Sequence, residues 1–132
     1  MTTKSAESWK IDFFADDAGV KPVLVWLQSL SPVVRGKVLA RIELLREHGP
    51  TLDYPYTSQI EGKLREARLR MGKTRYRVLY FFDDDRTAIL LHGFTKDTAT
   101  VEEADKKLGR ARMDQHITRL EARKKAKGRK PQ

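Results

Sequence analysis

The stretch that decides the fold runs from residue 61 to residue 82 and reads EGKLREARLRMGKTRYRVLYFF. It predicts two strands, at residues 64–70 and 75–82, joined by a tight turn. Two pairs of arginines stand at two-residue spacing in these strands, Arg68 with Arg70 and Arg75 with Arg77. Side chains at that spacing share one face of a strand. Several guanidinium groups on one rigid face repel each other unless a polyanion binds there, so the stretch points to nucleic acid and to chemistry on a phosphodiester.

The segment before this hairpin predicts a strand and two helices. Residues 9–14 alternate between apolar and polar side chains, which is typical of a strand. Residues 22–30 and 32–48 carry apolar side chains at helical spacing, and Ser31-Pro32 is a signal for the start of the second helix. Gly49 and Pro50 end that helix, and we expect residues 51–62 to form a loop.

The segment after the hairpin predicts one more strand and a last helix. Residues 87–94 form a continuous apolar run that suits a central strand, and Thr98 or Thr100 would cap the helix that follows. The predicted order is therefore β-α-α-β-β-β-α. It indicates an α+β fold in which a helical hairpin and a C-terminal helix pack against an antiparallel-rich, curved sheet.

Length and charge set the domain organisation and the class of partner. The chain has 132 residues, of which 39% are hydrophobic, and this is enough for one domain with its own core. We assign residues 1–120 to that domain and expect residues 121–132 to form a basic, disordered tail, because they have little to bury. The formal charge of +9 suggests an acidic partner, although a solvated basic surface would give the same value.

Several classes of protein are excluded by what the chain lacks. It has no cysteine, which removes disulfides, thiol nucleophiles and cysteine-ligated zinc. It has no apolar run of the roughly 20 residues that a membrane helix needs. The first ten residues are polar and lack the apolar core of a signal peptide, so the expected location is the cytoplasm, with no membrane partner.

Arg77 is the residue that is hardest to place. Its strand is partly apolar on both faces, as in a central strand covered on both sides, and a charged group there needs a partner. Glu66 in the preceding strand would supply one as an internal salt bridge, and an incoming phosphate would supply one equally well. The spacing leaves both interpretations open.

Three motifs occur in an order that resembles a known family. They are LREARLR at residues 64–70, YRVLYFF at residues 76–82 and LLHGFTK at residues 90–96. Together they strongly resemble the RelE/ParE superfamily of toxins from bacterial type II toxin–antitoxin systems, and within it the phage-derived, HigB-like branch. The resemblance covers about residues 9–108 and implies a RelE-like fold.

What the resemblance implies is a ribosome-dependent endoribonuclease that cuts messenger RNA and inhibits translation without a metal or another cofactor. The ribose 2′-hydroxyl would attack the adjacent phosphate and give a cyclic phosphate and a 5′-hydroxyl. Such a reaction needs a base, an acid and cationic stabilisation of the phosphate.

The resemblance also assigns candidate catalytic residues. Arg77 would hold the scissile phosphate, and Arg68 and Arg70 would position the RNA backbone. Lys96 matches a basic position beside the phosphate. His92 titrates in a useful range, although it would equally fit as a packed strand residue.

The remaining basic and aromatic residues of the hairpin are predicted RNA contacts: Lys63, Arg65, Lys73, Arg75 and Tyr76. Tyr76 has an alternative interpretation as an aromatic residue packed on the sheet. Two features depart from the family pattern: Asp97 weakens the positive field beside Lys96, and no tyrosine follows Tyr80. The general base and acid are therefore left unassigned.

Two other functions fit the same resemblance. One is a ParE-like toxin that inhibits gyrase, and the other is a non-catalytic relative that binds RNA or an antitoxin. The partners implied are a cognate antitoxin, typically of the helix-turn-helix kind, together with the ribosome and messenger RNA. The basic tail would contact RNA without sequence preference, order on an acidic antitoxin or simply keep the chain in solution.

Overall fold

A computed structural model of the chain describes residues 9–96 and 101–128. The elements in chain order are β1 (Lys10–Phe13), α1 (Pro22–Ser29), α2 (Pro32–His48), a 3₁₀ turn (Gly49–Thr51), β2 (Thr57–Glu61), β3 (Leu64–Met71), β4 (Thr74–Phe82), β5 (Thr87–Lys96) and α3 (Glu103–Gly128). The predicted α+β class is confirmed.

The sheet is mostly antiparallel. Within the described residues its strand order is β1-β5-β4-β3-β2, and only the β1–β5 pair is parallel. One face carries a core shared with α1 and α2, and the other carries a core shared with α3. The central strand β4 is therefore covered on both faces, as its two-sided apolar sequence predicts.

Strand β2 is an addition to the predicted order, and the prediction of a loop is wrong for residues 57–61. The chain turns at Gly62, where φ is +54°, and β2 then pairs antiparallel with β3. Thr57 is fully buried, and its hydroxyl donates to the carbonyl of Leu52 at 2.7 Å. The two prolines just before this strand concealed it, because they are typical of a loop.

The helical hairpin forms as predicted and is fixed by one arginine. The Ser31 side chain accepts from the backbone N–H of Val34, and Pro32 occupies the first turn of α2. Arg35 then reaches back to the end of α1, where its guanidinium donates to the carbonyls of Leu27 at 2.9 Å and Leu30 at 2.8 Å. These bonds supply donors to carbonyls at the end of α1, where that of Leu27 also accepts from the backbone N–H of Leu30.

A glycine lets α1 lie close to the sheet. A Cβ atom added to Gly93 of β5 would stand 2.3 Å from the indole ring of Trp26. No side chain fits in that space, so the contact between α1 and β5 requires glycine.

The last helix forms after β5, where the sequence predicts it. The caps predicted at Thr98 and Thr100 lie outside the described residues, and α3 starts at Glu103. It continues to Gly128, and residues 121–128 are helical and exposed. The division of the chain at residue 120 stays a prediction. None of the helices in the described part of the chain combines the length and the apolar character that a membrane span needs.

Candidate nucleic-acid interface

The predicted arginine face exists, and it is organised as rows across three strands. Residues that pair directly between neighbouring strands share one face. The end row consists of Arg70 on β3, Arg75 on β4 and Lys96 on β5. The middle row consists of Arg68, Arg77 and Phe94, and the inner row consists of Glu66, Leu79 and His92. The structure therefore brings all five predicted catalytic residues, together with Arg75, onto one face of the sheet.

Burial changes sharply from row to row. Arg77 is 2% exposed, whereas Arg70 is exposed to solvent and its Nε donates to the carbonyl of Gly72 at 2.9 Å. Arg75 and Lys96 are half-buried. The end row is thus the accessible part of the predicted site.

Glu66 neutralises Arg77 inside the sheet. The Nη1 atom of Arg77 lies 2.6 Å from Oε1 of Glu66, which is only 4% exposed. The other carboxylate oxygen accepts from the hydroxyl of Ser58 at 2.8 Å and lies 3.7 Å from Nε of Arg68. Of the two interpretations that the sequence left open, the internal ion pair is the one present. In this arrangement the guanidinium of Arg77 is held by the protein, and only 2% of the residue stays exposed.

A depression of about 280 Å³ opens at the same end of β3 and β4. Of the described residues that line it, five are arginines and none is acidic. Arg41 of α2 is one of them, and its Nη1 atom donates to the carbonyl of Arg68. Strand β2 pairs with β3 only as far as Ala67, so the carbonyl of Arg68 lies beyond the paired part of β3. Arg41 supplies a hydrogen-bond donor to the sheet edge at this point.

Two tyrosines in the loop before β2 stand beside these arginines. The guanidinium of Arg68 lies 5.2 Å from the ring centre of Tyr54, and that of Arg41 lies 4.9 Å from the ring centre of Tyr56. Sequence analysis missed Arg41, Tyr54 and Tyr56 as site residues. The only available signal was the pair of tyrosines in a segment without an apolar pattern.

A second group of charged side chains surrounds His92 and Lys96 at the start of α3. Nε2 of His92 lies 2.8 Å from Oδ1 of Asp105, and the ring stacks on Phe94 with centres 4.8 Å apart. Nζ of Lys96 lies 3.2 Å from a carboxylate oxygen of Glu102. Burial lowers the pKa of His92 below its ordinary value, although the carboxylate of Asp105 opposes that shift.

Asp105 is a further residue that no sequence motif marks. The sequence shows only that Asp105 lies in the first turn of α3. Acidic residues are common there because they interact favourably with the helix dipole, so this position does not indicate a site. Because β5 and α3 are brought together only by the fold, the sequence does not show that this carboxylate faces a histidine.

The predicted RNA contacts are divided among three regions. Lys73 is exposed in the turn next to the end row. Lys63 lies at the other end of β3, beside Phe81 and α3. Arg65 is on the opposite face of the sheet, where its guanidinium lies 3.3 Å from the hydroxyls of Tyr80 and Thr57.

Tyr76 is half-buried against the core of the helical hairpin, in accordance with the packing interpretation, and it also lines the depression. Among residues 9–96 and 101–128, no group of three or more histidine, aspartate or glutamate side chains is arranged to hold a metal ion.

Comparison with known proteins identifies the family. The family described as "Phage derived protein Gp49-like (DUF891)" matches residues 25–114. A protein of Mycobacterium tuberculosis named "Putative toxin HigB2" is 30% identical over 123 residues, which cover 84% of this chain and 61% of that protein. The chain thus spans about three fifths of the length of this relative. Both findings confirm the resemblance to the phage-derived, HigB-like branch. The chain belongs to the family of phage-derived Gp49-like proteins.

Proposed function

We propose that this protein is the toxin of a toxin–antitoxin system and that it cuts messenger RNA on the ribosome. The family and the name of the relative support the first part. One observation carries the second part: three cations form the end row across β3, β4 and β5, beside a depression whose described lining contains no acidic side chain. Planar guanidinium groups on rigid strands suit the paired oxygens of a phosphate backbone.

The end row would hold the RNA backbone. Arg70 and Arg75 are adjacent across one strand pair, and Lys96 is adjacent to Arg75 across the next. Three cations in line match successive phosphates or the several oxygens of one phosphate. Lys96 is held by the exposed carboxylate of Glu102 at 3.2 Å and lies 3.9 Å from the largely buried carboxylate of Asp105. An incoming phosphate would replace Glu102, while Asp105 stays in place.

Arg77 has a different role in this proposal. Its guanidinium anchors the carboxylate of Glu66, and Glu66 in turn lies close to Arg68. Arg77 is therefore a positioning residue that fixes Glu66 and Arg68 beneath the RNA. Glu66 is buried on the side of Arg68 that faces the protein, and it stays paired with Arg77 when RNA binds.

Proton transfer is assigned to His92 and Lys96. Burial lowers the pKa of His92 and so favours its neutral form, whose ring can accept the proton of the 2′-hydroxyl while Asp105 holds Nε2. The 2′-oxygen then bonds to phosphorus, and the bond from phosphorus to the 5′-oxygen breaks. Lys96 gives a proton to the departing 5′-oxygen, which leaves a cyclic phosphate and a 5′-hydroxyl.

The partner proposed for this toxin is an antitoxin encoded beside it, of the helix-turn-helix kind, and the target is messenger RNA in the cytoplasm. Producing the protein alone in bacteria should stop growth, and co-production of the neighbouring reading frame should restore it.

Primer extension on transcripts from arrested cells tests the reaction. We expect new 5′ ends within translated codons, and we expect Arg70→Gln with Lys96→Gln to abolish them. Lys107→Gln removes an exposed cation of α3 and should leave them unchanged. Arrest without cut transcripts, accompanied by trapped gyrase–DNA complexes, would overturn the nuclease proposal.

A further inference from the structure

We infer that Tyr54, Tyr56 and Arg41 form a base-stacking subsite that takes one unstacked nucleotide of single-stranded RNA next to the end row. The inference deepens the proposed function, because it names the part of the RNA that this side of the site would recognise. The three sequence motifs at residues 64–70, 76–82 and 90–96 do not include these three residues.

The tyrosines are unusually exposed for their size. Tyr54 is 71% exposed and Tyr56 is 42% exposed, whereas the other two tyrosines are half-buried or buried. An exposed aromatic ring beside a cationic groove is the arrangement with which proteins bind single strands, because every base has a face that can stack. A duplex cannot use such a ring, since its bases are already stacked on one another.

The loop that presents the tyrosines is well fixed by hydrogen bonds. The side chain of Asp53 accepts from the backbone N–H of Tyr54 at 2.8 Å, and its carbonyl accepts from the N–H of Tyr56 at 3.0 Å and of Thr57 at 3.2 Å. Thr57 is in turn buried against Leu52. The backbone that carries the two rings is therefore held in place before any ligand arrives, which lowers the entropic cost of binding.

Each ring is paired with a guanidinium group. Arg41 lies over Tyr56, and Arg68 lies over Tyr54, at the distances given above. Guanidinium planes also stack on bases, so a base that enters here meets a ring and a cation together. The volume of about 280 Å³ is close to the lower limit of about 300 Å³ for small-molecule sites, which suits one nucleotide and not a helix.

The location relative to the end row favours RNA over an acidic peptide. Tyr56 and Arg41 line the same depression as Arg70 and Arg75. A base stacked on Tyr56 would therefore lie next to Arg70 and Arg75, which would bind the phosphates of the same strand. An acidic protein segment would use the arginines but would gain little from two exposed rings.

Binding of a short single-stranded oligoribonucleotide by the purified full chain, measured over a series of salt concentrations, tests the inference. Replacing Tyr54 and Tyr56 by alanine should weaken binding by about 5- to 140-fold, the loss of one stacked base. The slope of log K against log salt should stay the same, because no phosphate contact is lost. Replacing both tyrosines by phenylalanine should preserve the affinity.

Two controls make the test specific. The same RNA in duplex form should bind equally well to the alanine variant and to the unaltered protein. Arg70→Gln removes a phosphate contact, so it should reduce the slope of log K against log salt by about 0.7, whereas the tyrosine variants leave that slope unchanged. Circular dichroism and thermal unfolding verify that the variants are folded.

Some results would overturn the inference. They are an unchanged affinity for single-stranded RNA in the alanine variant, an equal loss for duplex, or an equal loss of binding to a polyglutamate peptide, which would identify an acidic protein segment as the occupant. The proposed nuclease fails separately: tyrosine-dependent binding without any cut transcript refutes the reaction and supports the subsite.

Discussion

Arg77 and Arg70 lie in adjacent rows of the same sheet face, and their environments are opposite. Arg77 is 2% exposed and shares a 2.6 Å contact with a buried carboxylate, whereas Arg70 is open to solvent. The same residue type at the same spacing therefore serves two purposes. An arginine in the covered middle of a sheet organises the protein, and an arginine at the open end can contact a ligand.

The rows show how this difference arises. α3 packs over the inner part of this face through Met113 and Ile117, and burial falls toward the end of β3 and the start of β4. A sequence motif shows which residue types occupy the family's positions, but it does not show how burial changes along the strands. The role of Arg77 therefore has to be tested separately from that of the end row.

Breaking the buried pair should have the largest effect. Glu66→Ala leaves the guanidinium of Arg77 in the interior without its carboxylate, and we expect a loss of about 3–5 kcal/mol in the free energy of unfolding. Urea unfolding measures it. Glu66→Leu combined with Arg77→Met fills the same space without charge and should recover most of the loss. A Glu66→Ala variant as stable as the unaltered protein would show that the pair is not buried in solution.

A pair of glycine substitutions tests whether the scaffold is as tightly packed as it appears. Gly93→Ala places a Cβ 2.3 Å from the ring of Trp26 and should lower the free energy of unfolding by about 1–3 kcal/mol. Gly36→Ala, in α2, meets nothing within 4 Å and should raise it by about 0.5–1 kcal/mol. Equal effects at the two positions would contradict the close contact of α1 with β5.

Changing the open arginine should affect binding and leave folding almost intact. Arg70→Gln should shift the free energy of unfolding by no more than about 0.5 kcal/mol, because the side chain is exposed. The same variant should bind single-stranded RNA less tightly at low salt. If Arg70→Gln unfolds the protein instead, the distinction between the two rows is wrong.

The smallest effect concerns pH. Burial lowers the pKa of His92 and of His116, so below about pH 6.5 the unfolded chain binds protons that the folded chain resists. These two groups therefore make the protein less stable as pH falls through the unfolded value toward the folded one. Urea unfolding between pH 7 and pH 5 should show this decline, and His92→Asn with His116→Asn should flatten it. A steeper decline in that variant would contradict the direction of the shifts.

The sequence was sufficient for the fold class, for the helical hairpin and for the alternation that places the four arginines on one face. It failed at β2, because local proline content suggested a loop while the pairing partner lay across a turn. It also failed at Asp105 and Arg41. Both reach the site from helices, and only the packing of those helices on the sheet decides what their side chains face.

The ambiguity at Arg77 had the same origin. The spacing identified Glu66 as a neighbour, but burial decides between an internal pair and a phosphate site, and burial depends on how the elements pack on the sheet. Local patterns predict which side chains share a face, and only the assembled layers decide which of them stay open.

Primer extension of a messenger RNA on translating ribosomes, with purified variants, tests the central claim most directly. The claim is that the end row contacts RNA and that Arg77 supports the scaffold. Arg70→Gln with Lys96→Gln should reduce the cleavage rate by about 100-fold or more. Glu66→Leu with Arg77→Met, if folded, should cut within about tenfold of the unaltered rate, since a positioning residue costs less than a contact. The opposite order, with cleavage lost in the apolar pair and retained without the end row, would contradict the account.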